Sequence, residues 1–241
     1  MTDRSTALQI LAVLQQSPVG NAGVLVGSSG LFGFETAVPA LTEDIDIAVP
    51  EQVVVEHGPA IVDILAHQGF AHEPGTATFV RPTSGVSFDL LGHGDPRDGD
   101  HIGGAGALRV MVFEDISRIV GEEQATMALP QGGRALTPAG FVASKLLTER
   151  AHKGSKDKIQ ALLLLAERAA DEELGSDLLR LLAGVDPVRI EDLRAAAQDA
   201  VFALAHDPLF SDAGAEGYAV LATQAEHGLT RLLALLEKRD G

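Results

Sequence analysis

The chain has 241 residues and carries 34 acidic against 18 basic side chains, a formal net charge of −16. Nucleic-acid binders normally present extended Lys and Arg surfaces, so this balance argues against a broad nucleic-acid footprint. An apolar fraction of 46% supports a sizeable core and speaks against disorder, and the absence of cysteine excludes disulfides and thiolate metal sites.

Met1 to Ser5 lead into no secretory hydrophobic region, and the longest apolar stretch, Ala161 to Ala166, is far too short to span a bilayer. A cytoplasmic protein with no membrane partner is therefore expected. A helix is predicted over Ser5 to Gln16. Val24, Leu25 and Val26 then read as a buried strand that stops at the tight turn Gly27-Ser28-Ser29-Gly30. In Asp44-Ile45-Asp46-Ile47-Ala48-Val49 the period of two sends Ile45, Ile47 and Val49 to one face and both aspartates to the other. Pro59 to Gln68 reads as a helix with Ile61, Ile64 and Leu65 on one face and Gly69 as its cap. Thr76 to Arg81 and Val86 to Leu91 form a hairpin around Pro82-Thr83-Ser84-Gly85, with Asp89 opposite in direction to Val86, Phe88 and Leu90.

Gly92 to Leu108 holds six glycines together with His93, Asp95, Asp98, Asp100 and His101, and it reads as a mobile loop before a strand at Arg109 to Phe113. Near residue 130 the pattern changes. After Gln131-Gly132-Gly133, Thr137 caps a helix that has Pro138 at its first position. From there the sequence is helical, punctuated by Gly154-Ser155, Gly175-Ser176, Asp186-Pro187 and Asp207-Pro208. The reading is an α/β domain over 1–130 and a helical domain over 131–241, without internal repeats.

Two carboxylates on one strand face need a cation. Mg²⁺ prefers a few carboxylate oxygens plus water and substrate phosphates, and small residues at Gly27-Ser28-Ser29 let backbone N–H groups approach an anion. A third carboxylate, Asp89, can stand on a strand beside the pair. Together these point to metal-assisted phosphoryl or nucleotidyl transfer, in a chain without a Walker pattern. The alternative is an acidic strand edge that discourages edge pairing. One basic region breaks the acidic balance: Lys145, Arg150, Lys153, Lys156 and Lys158 lie within fourteen positions that also hold Glu149 and Asp157. The plain account of Lys145 is a surface pair with Glu149.

The order of these parts resembles the nucleotidyltransferase superfamily that includes DNA polymerase beta, and within it the AbiEii-type and MenT-like toxins. The resemblance rests on Gly27-Ser28, then Thr42 with Asp44 and Asp46, then Asp89, and on a Lys-x4-Arg-x5-Lys-Asp pattern matched by Lys145, Arg150, Lys156 and Asp157. The gap from Ser28 to Asp44 is longer than is usual in that superfamily. The resemblance implies an α+β fold: a small mixed or antiparallel sheet with flanking helices, followed by an all-helical C-terminal domain. It implies an enzyme that uses Mg²⁺ or Mn²⁺ to move a nucleoside monophosphate from an NTP to a hydroxyl. Asp44, Asp46 and Asp89 would be the metal-binding catalytic acids, and Gly27, Ser28, Ser29, Lys145, Arg150, Lys156 and Asp157 would hold the triphosphate. The acceptor would be a tRNA or other RNA end, with an antitoxin as partner, or a cationic small molecule as in antibiotic-modifying relatives. A non-catalytic nucleotide-binding module of the same fold is the third reading.

Overall fold

A computed structural model describes residues 3–40, 44–148, 155–204 and 214–240. The chain divides into two compact units, one containing the described residues 3–35 and 44–137, the other 36–40 and 138–240.

The first unit is a mixed sheet with helices. Its strands are β1 (Val24–Val26), β2 (Ile45–Pro50), β3 (Ala71–His72), β4 (Thr78–Arg81), β5 (Val86–His93), β6 (His101–Ala105), β7 (Leu108–Val112), β8 (Thr126–Ala128) and β9 (Arg134–Leu136). Among the described residues they join in the order β3-β4-β5-β2-β1-β9-β8, with β7 also paired to β5 and β6 to β7. β2 runs parallel to β5, from Ile45 opposite Phe88 to Pro50 opposite His93. The other edge of β5 is shared: β4 pairs antiparallel along its first half, and β7 pairs parallel at Leu91 and Gly92. Because β9 pairs with β1, this unit continues past the glycine break near residue 130.

Alternation along these strands separates two faces. One face carries Leu25, Ile45, Ile47, Val49, Phe79, Phe88, Leu90, Leu108, Val110, Val112 and Ala135, all in the main core. Phe88 sits at its centre, stacked on Phe79 at 5.1 Å and met edge-on by Phe70 at 5.1 Å. Burying each such side chain contributes about 1.5–3 kcal/mol. The opposite face carries Asp46 and Asp89.

Two helices supply most of the rest of that core, with Val19, Phe70 and Leu129 from the connections. Helix α1 (Arg4–Gln15) starts where Asp3 Oδ1 accepts the Thr6 N–H at 2.8 Å, and it buries Ala7, Ile10, Leu11 and Leu14. Helix α2 spans Glu51–His67, eight residues longer at its start than the helix predicted from Pro59. Pro59 lies inside it on the solvent side, while Val54, Gly58, Ile61 and Leu65 make one unbroken buried stripe. Proline removes a helical hydrogen bond and normally ends the element. Here packing along that stripe outweighs the local signal.

The glycine-rich segment is also not the loop predicted from its composition. β5 runs on to His93, and His101–Ala105 forms a hairpin with Leu108–Val112. Close approach explains Gly92 and Gly103. A Cβ on Gly103 would stand 2.5 Å from Glu51 Oε1, and one on Gly92 would stand 2.5 Å from Val112 Cγ2. His101 fastens the hairpin to α2, with Nε2 3.1 Å from Glu51 Oε2 and Nδ1 2.9 Å from the Gly99 carbonyl. The remaining helix of this unit, α3 (Glu114–Val120), buries Ile116 and Ile119.

Among the described residues the regular elements of the second unit are all helices: α4 (Pro138–Leu147), α5 (Lys156–Glu167), α6 (Glu172–Leu182), α7 (Pro187–Ala203) and α8 (Gly214–Asp240). Asp171 and Asp186 cap α6 and α7 by accepting the Leu174 and Val188 N–H groups at 2.9 and 2.8 Å. Basic side chains close the helix C-termini, where carbonyls lack partners. Arg231 Nη1 donates to the Leu165 carbonyl at 2.9 Å, Arg239 Nε to Leu182 at 3.3 Å and Arg189 Nη2 to Leu147 at 3.1 Å. The stretch 36–40 is tied into this unit as well. Glu167 Oε2 accepts from the Thr36 hydroxyl at 2.8 Å and the Ala37 N–H at 2.9 Å, and Gln160 Nε2 donates to the Pro39 carbonyl at 2.8 Å. The predicted breaks at Gly154 and Asp207-Pro208 lie outside the described residues. No helix among the described residues is long and apolar enough to cross a membrane.

Candidate active site

The site is built where β1 ends beside β2. Val26 pairs with Asp46, and the chain then turns at Gly27 into tight 3₁₀ turns over Gly27–Gly33. Gly27 has φ of +57°, a conformation that L side chains rarely adopt. A second constraint falls on the same residue: a Cβ there would stand 2.2 Å from Asp46 Oδ2. The turn therefore closes directly on the Asp46 carboxylate, which is only 8% exposed.

Ser28 and Ser29 are both buried in this turn. The Ser29 hydroxyl receives the Asp46 N–H at 3.2 Å and donates to the Asp44 carbonyl at 3.4 Å, so it fixes the entry of β2 from inside. Ser29 thus acts on the aspartate backbone, where the sequence assigned it to a phosphate cradle.

Asp89 is the direct register partner of Asp46 on the parallel neighbour β5, so both side chains leave the sheet on the same face, side by side. Across the other edge Asp89 faces Thr78, whose hydroxyl donates to Asp89 Oδ1 at 2.6 Å. Asp44 precedes β2 by one residue, is exposed, and accepts a hydrogen bond at Oδ1 from the Ser87 hydroxyl. Among the described residues, no three or more His, Asp or Glu side chains form a group placed to hold a metal ion. The three acids are divided into a register pair, Asp46 with Asp89, and Asp44 turned to Ser87. A pair still suits Mg²⁺, which usually binds through one or two carboxylates plus substrate phosphates.

Thr78 and Ser87 were not singled out in the sequence, although a signal was present. Ser87 precedes Asp89 by one strand period, and the four-residue turn at 82–85 sets a register that brings Thr78 opposite Asp89.

The basic region is different from its sequence appearance. Lys145 and Asp157, 5% and 6% exposed, form a buried ion pair inside the helical unit, and Lys145 Nζ also lies 5.8 Å from the centre of the Phe141 ring. Lys158 is buried too. Its Nζ donates to the carbonyls of Lys145, Leu146 and Thr148 at 3.0, 2.8 and 2.9 Å, closing the end of α4. Lys145 is thus turned inward to Asp157, and two of the five cations expected on one surface are internal. Lys156 opens α5 and is half-buried. Arg150, Lys153, Glu149 and Thr42 lie outside the described residues.

Two histidines are shifted in opposite directions. Burial, and then the charge of Arg134, bring His93 down to about 4, and its buried Nε2 has no hydrogen-bond partner among the described residues. The Gly99 carbonyl and then Glu51 hold His101 above its usual value of 6.5. Neither histidine contacts the aspartates through a described hydrogen bond. Comparison with protein-family models and with curated proteins finds no match for this chain.

Proposed function

We propose that the protein is a Mg²⁺-dependent nucleotidyltransferase that moves a nucleoside monophosphate from an NTP to a hydroxyl acceptor in the cytoplasm. The observation that carries this reading is the Gly27 turn closing on Asp46, with Asp89 beside Asp46 in register on the next strand. Beside that turn, a buried carboxylate and a second carboxylate on one sheet face form a donor set of hard oxygens. Asp46 and Asp89 would hold the ion, which when bound neutralises charge on the triphosphate, and Asp44 lies at the rim of the site.

The chain's own groups do the rest of the work in this proposal. Backbone N–H groups of the Gly27–Gly33 turn and the Ser28 hydroxyl bind the terminal phosphates. Asp89 takes the proton of the acceptor hydroxyl as it attacks the α-phosphorus, and pyrophosphate leaves. Alignment and electrostatic stabilisation carry most of the rate in phosphoryl chemistry, so no covalent nucleophile is needed. Lys145, Arg150, Lys156 and Asp157 enter only through the family resemblance.

The acceptor is an RNA end in the toxin-like reading, with an antitoxin as partner. A second reading, a small-molecule acceptor, is favoured by the burial of Lys145 and Lys158, which removes two cations from the surface an RNA would use. The test is incubation with each α-labelled NTP, Mg²⁺ and either total RNA or a panel of aminoglycosides. Label transferred by the parent protein and lost in Asp46→Asn supports the proposal, and the pool that is labelled assigns the acceptor. Absence of pyrophosphate release with every NTP and acceptor pool overturns it.

A further inference from the structure

The carboxylate face of the sheet is ordered in rows across three strands. One row runs Asp46, Asp89, Thr78 from β2 through β5 to β4, each residue opposite the next. The row below holds Asp44, one residue ahead of β2, then Ser87 and Val80. In both rows a hydroxyl stands next to a carboxylate and donates to its Oδ1: Thr78 to Asp89 at 2.6 Å, and Ser87 to Asp44. Both hydroxyls come from the β4–β5 hairpin. A carboxylate on a strand rotates about two side-chain bonds, and a donor fixed on the neighbouring strand selects one setting of them. Groups of this kind behind a metal-binding carboxylate commonly account for 10–100-fold in metal affinity.

We propose that Thr78 and Ser87 are positioning residues, Thr78 orienting the Asp89 carboxylate for a divalent cation held with Asp46, and Ser87 setting Asp44 at the rim of that site, with the weaker effect. This inference rests on the nucleotidyltransferase reading of the same site. Neither hydroxyl belongs to the motif set that first pointed to that reading. The two positions accept apolar replacement without loss of strand character: Thr78 is exposed and Val keeps its β-branched shape, and Ser87 is only half-buried.

The experiment measures Mn²⁺ binding to the full-length protein by the loss of the free-ion electron paramagnetic resonance signal. It is run with Mn²⁺ alone and with Mn²⁺ plus a non-hydrolysable ATP analogue. The expected result is a Kd raised roughly 10–100-fold in Thr78→Val, a smaller rise in Ser87→Ala, and restoration in Thr78→Ser, all at unchanged melting temperature of the metal-free protein. Parent-like Mn²⁺ affinity in Thr78→Val, in a protein whose affinity does collapse in Asp46→Asn, overturns the positioning role and leaves the metal site standing. If Thr78→Val lowers the melting temperature, Thr78→Ser decides: parent-like affinity supports the role of the hydroxyl, and a loss as large as that of Val overturns it. A parent protein that binds no Mn²⁺ with or without the analogue overturns the underlying reading and this inference together.

Discussion

Gly27→Ala tests the tightest feature of the site, because two separate costs fall on one methyl group. The backbone cost comes from φ of +57°, where a Cβ meets the following carbonyl and costs roughly 1–2 kcal/mol. The packing cost comes from Asp46 Oδ2, 2.2 Å from the new Cβ, when ordinary contact begins near 3.4 Å. The carboxylate must move by about 1 Å, and forced displacement in a packed site costs roughly 1–3 kcal/mol. The sum is a destabilisation of about 2–5 kcal/mol, read from urea unfolding followed by far-ultraviolet circular dichroism. The two parts separate in a double-mutant cycle with Asp46→Ala. Removing the carboxylate abolishes the packing cost and leaves the backbone cost, so the coupling energy should be about 1–3 kcal/mol. Additivity of the two substitutions within about 0.5 kcal/mol would refute the claim that the turn closes on Asp46. In the single Gly27→Ala variant, nucleotidyl transfer should fall on the order of 100-fold, since a misplacement of about 1 Å has that effect on aligned chemistry.

Three further outcomes follow from the charges. Lys145→Met leaves Asp157 buried beside an uncharged partner and should destabilise by about 3–5 kcal/mol, whereas Lys145→Met with Asp157→Leu recovers most of the loss; a single variant within about 1 kcal/mol of the parent in urea unfolding contradicts a buried pair. His93 is neutral when folded down to about 4 and protonates near 6.5 when unfolded, so the unfolded chain binds the extra proton between those values and the His93 contribution is lost as pH falls through that window. Comparing parent and His93→Gln unfolding at pH 7 and pH 4 should reveal a difference of about 2–3 kcal/mol, and parallel pH profiles would count against it. His101 has the opposite sign: its bond to Glu51 is fully present below 6.5 and fades as pH rises through its raised folded value. Hydrogen exchange of 101–112, corrected for intrinsic rates, should show protection falling from pH 6 to pH 9 in the parent and falling less steeply in Glu51→Gln, which keeps the Gly99 contact.

The helical unit explains why counting basic residues along the sequence misleads here. Lys145, Lys158, Arg189, Arg231 and Arg239 spend their charge on a buried carboxylate or on helix-end carbonyls. A helix has four carbonyls at its C-terminus without internal partners, and long basic side chains from neighbouring helices satisfy them here. That use is set by packing, since the donor and the carbonyl are often more than forty residues apart, as with Arg189 and Leu147.

Sequence alone determined whatever depends on a local period or a local rule. The alternation in 44–49 and 86–91 put the aspartates on the face opposite Ile45, Ile47, Phe88 and Leu90, because successive side chains on a strand must leave on opposite sides. Gly27 marked the end of β1, since only glycine follows a buried strand into a positive φ without strain. Thr137-Pro138 marked a helix start and Asp186-Pro187 a break between helices, because a proline ring suits the first turn and ends what precedes it. Tertiary structure decided the rest. Register between β2 and β5 made Asp46 and Asp89 neighbours, and pairing across β4 brought in Thr78, because those choices depend on which edges meet. Pro59 stayed inside a helix and Gly92, Gly103 and Gly104 joined the sheet, because burial along α2 and its close approach to β6 outweighed the turn and loop preferences of the residues themselves.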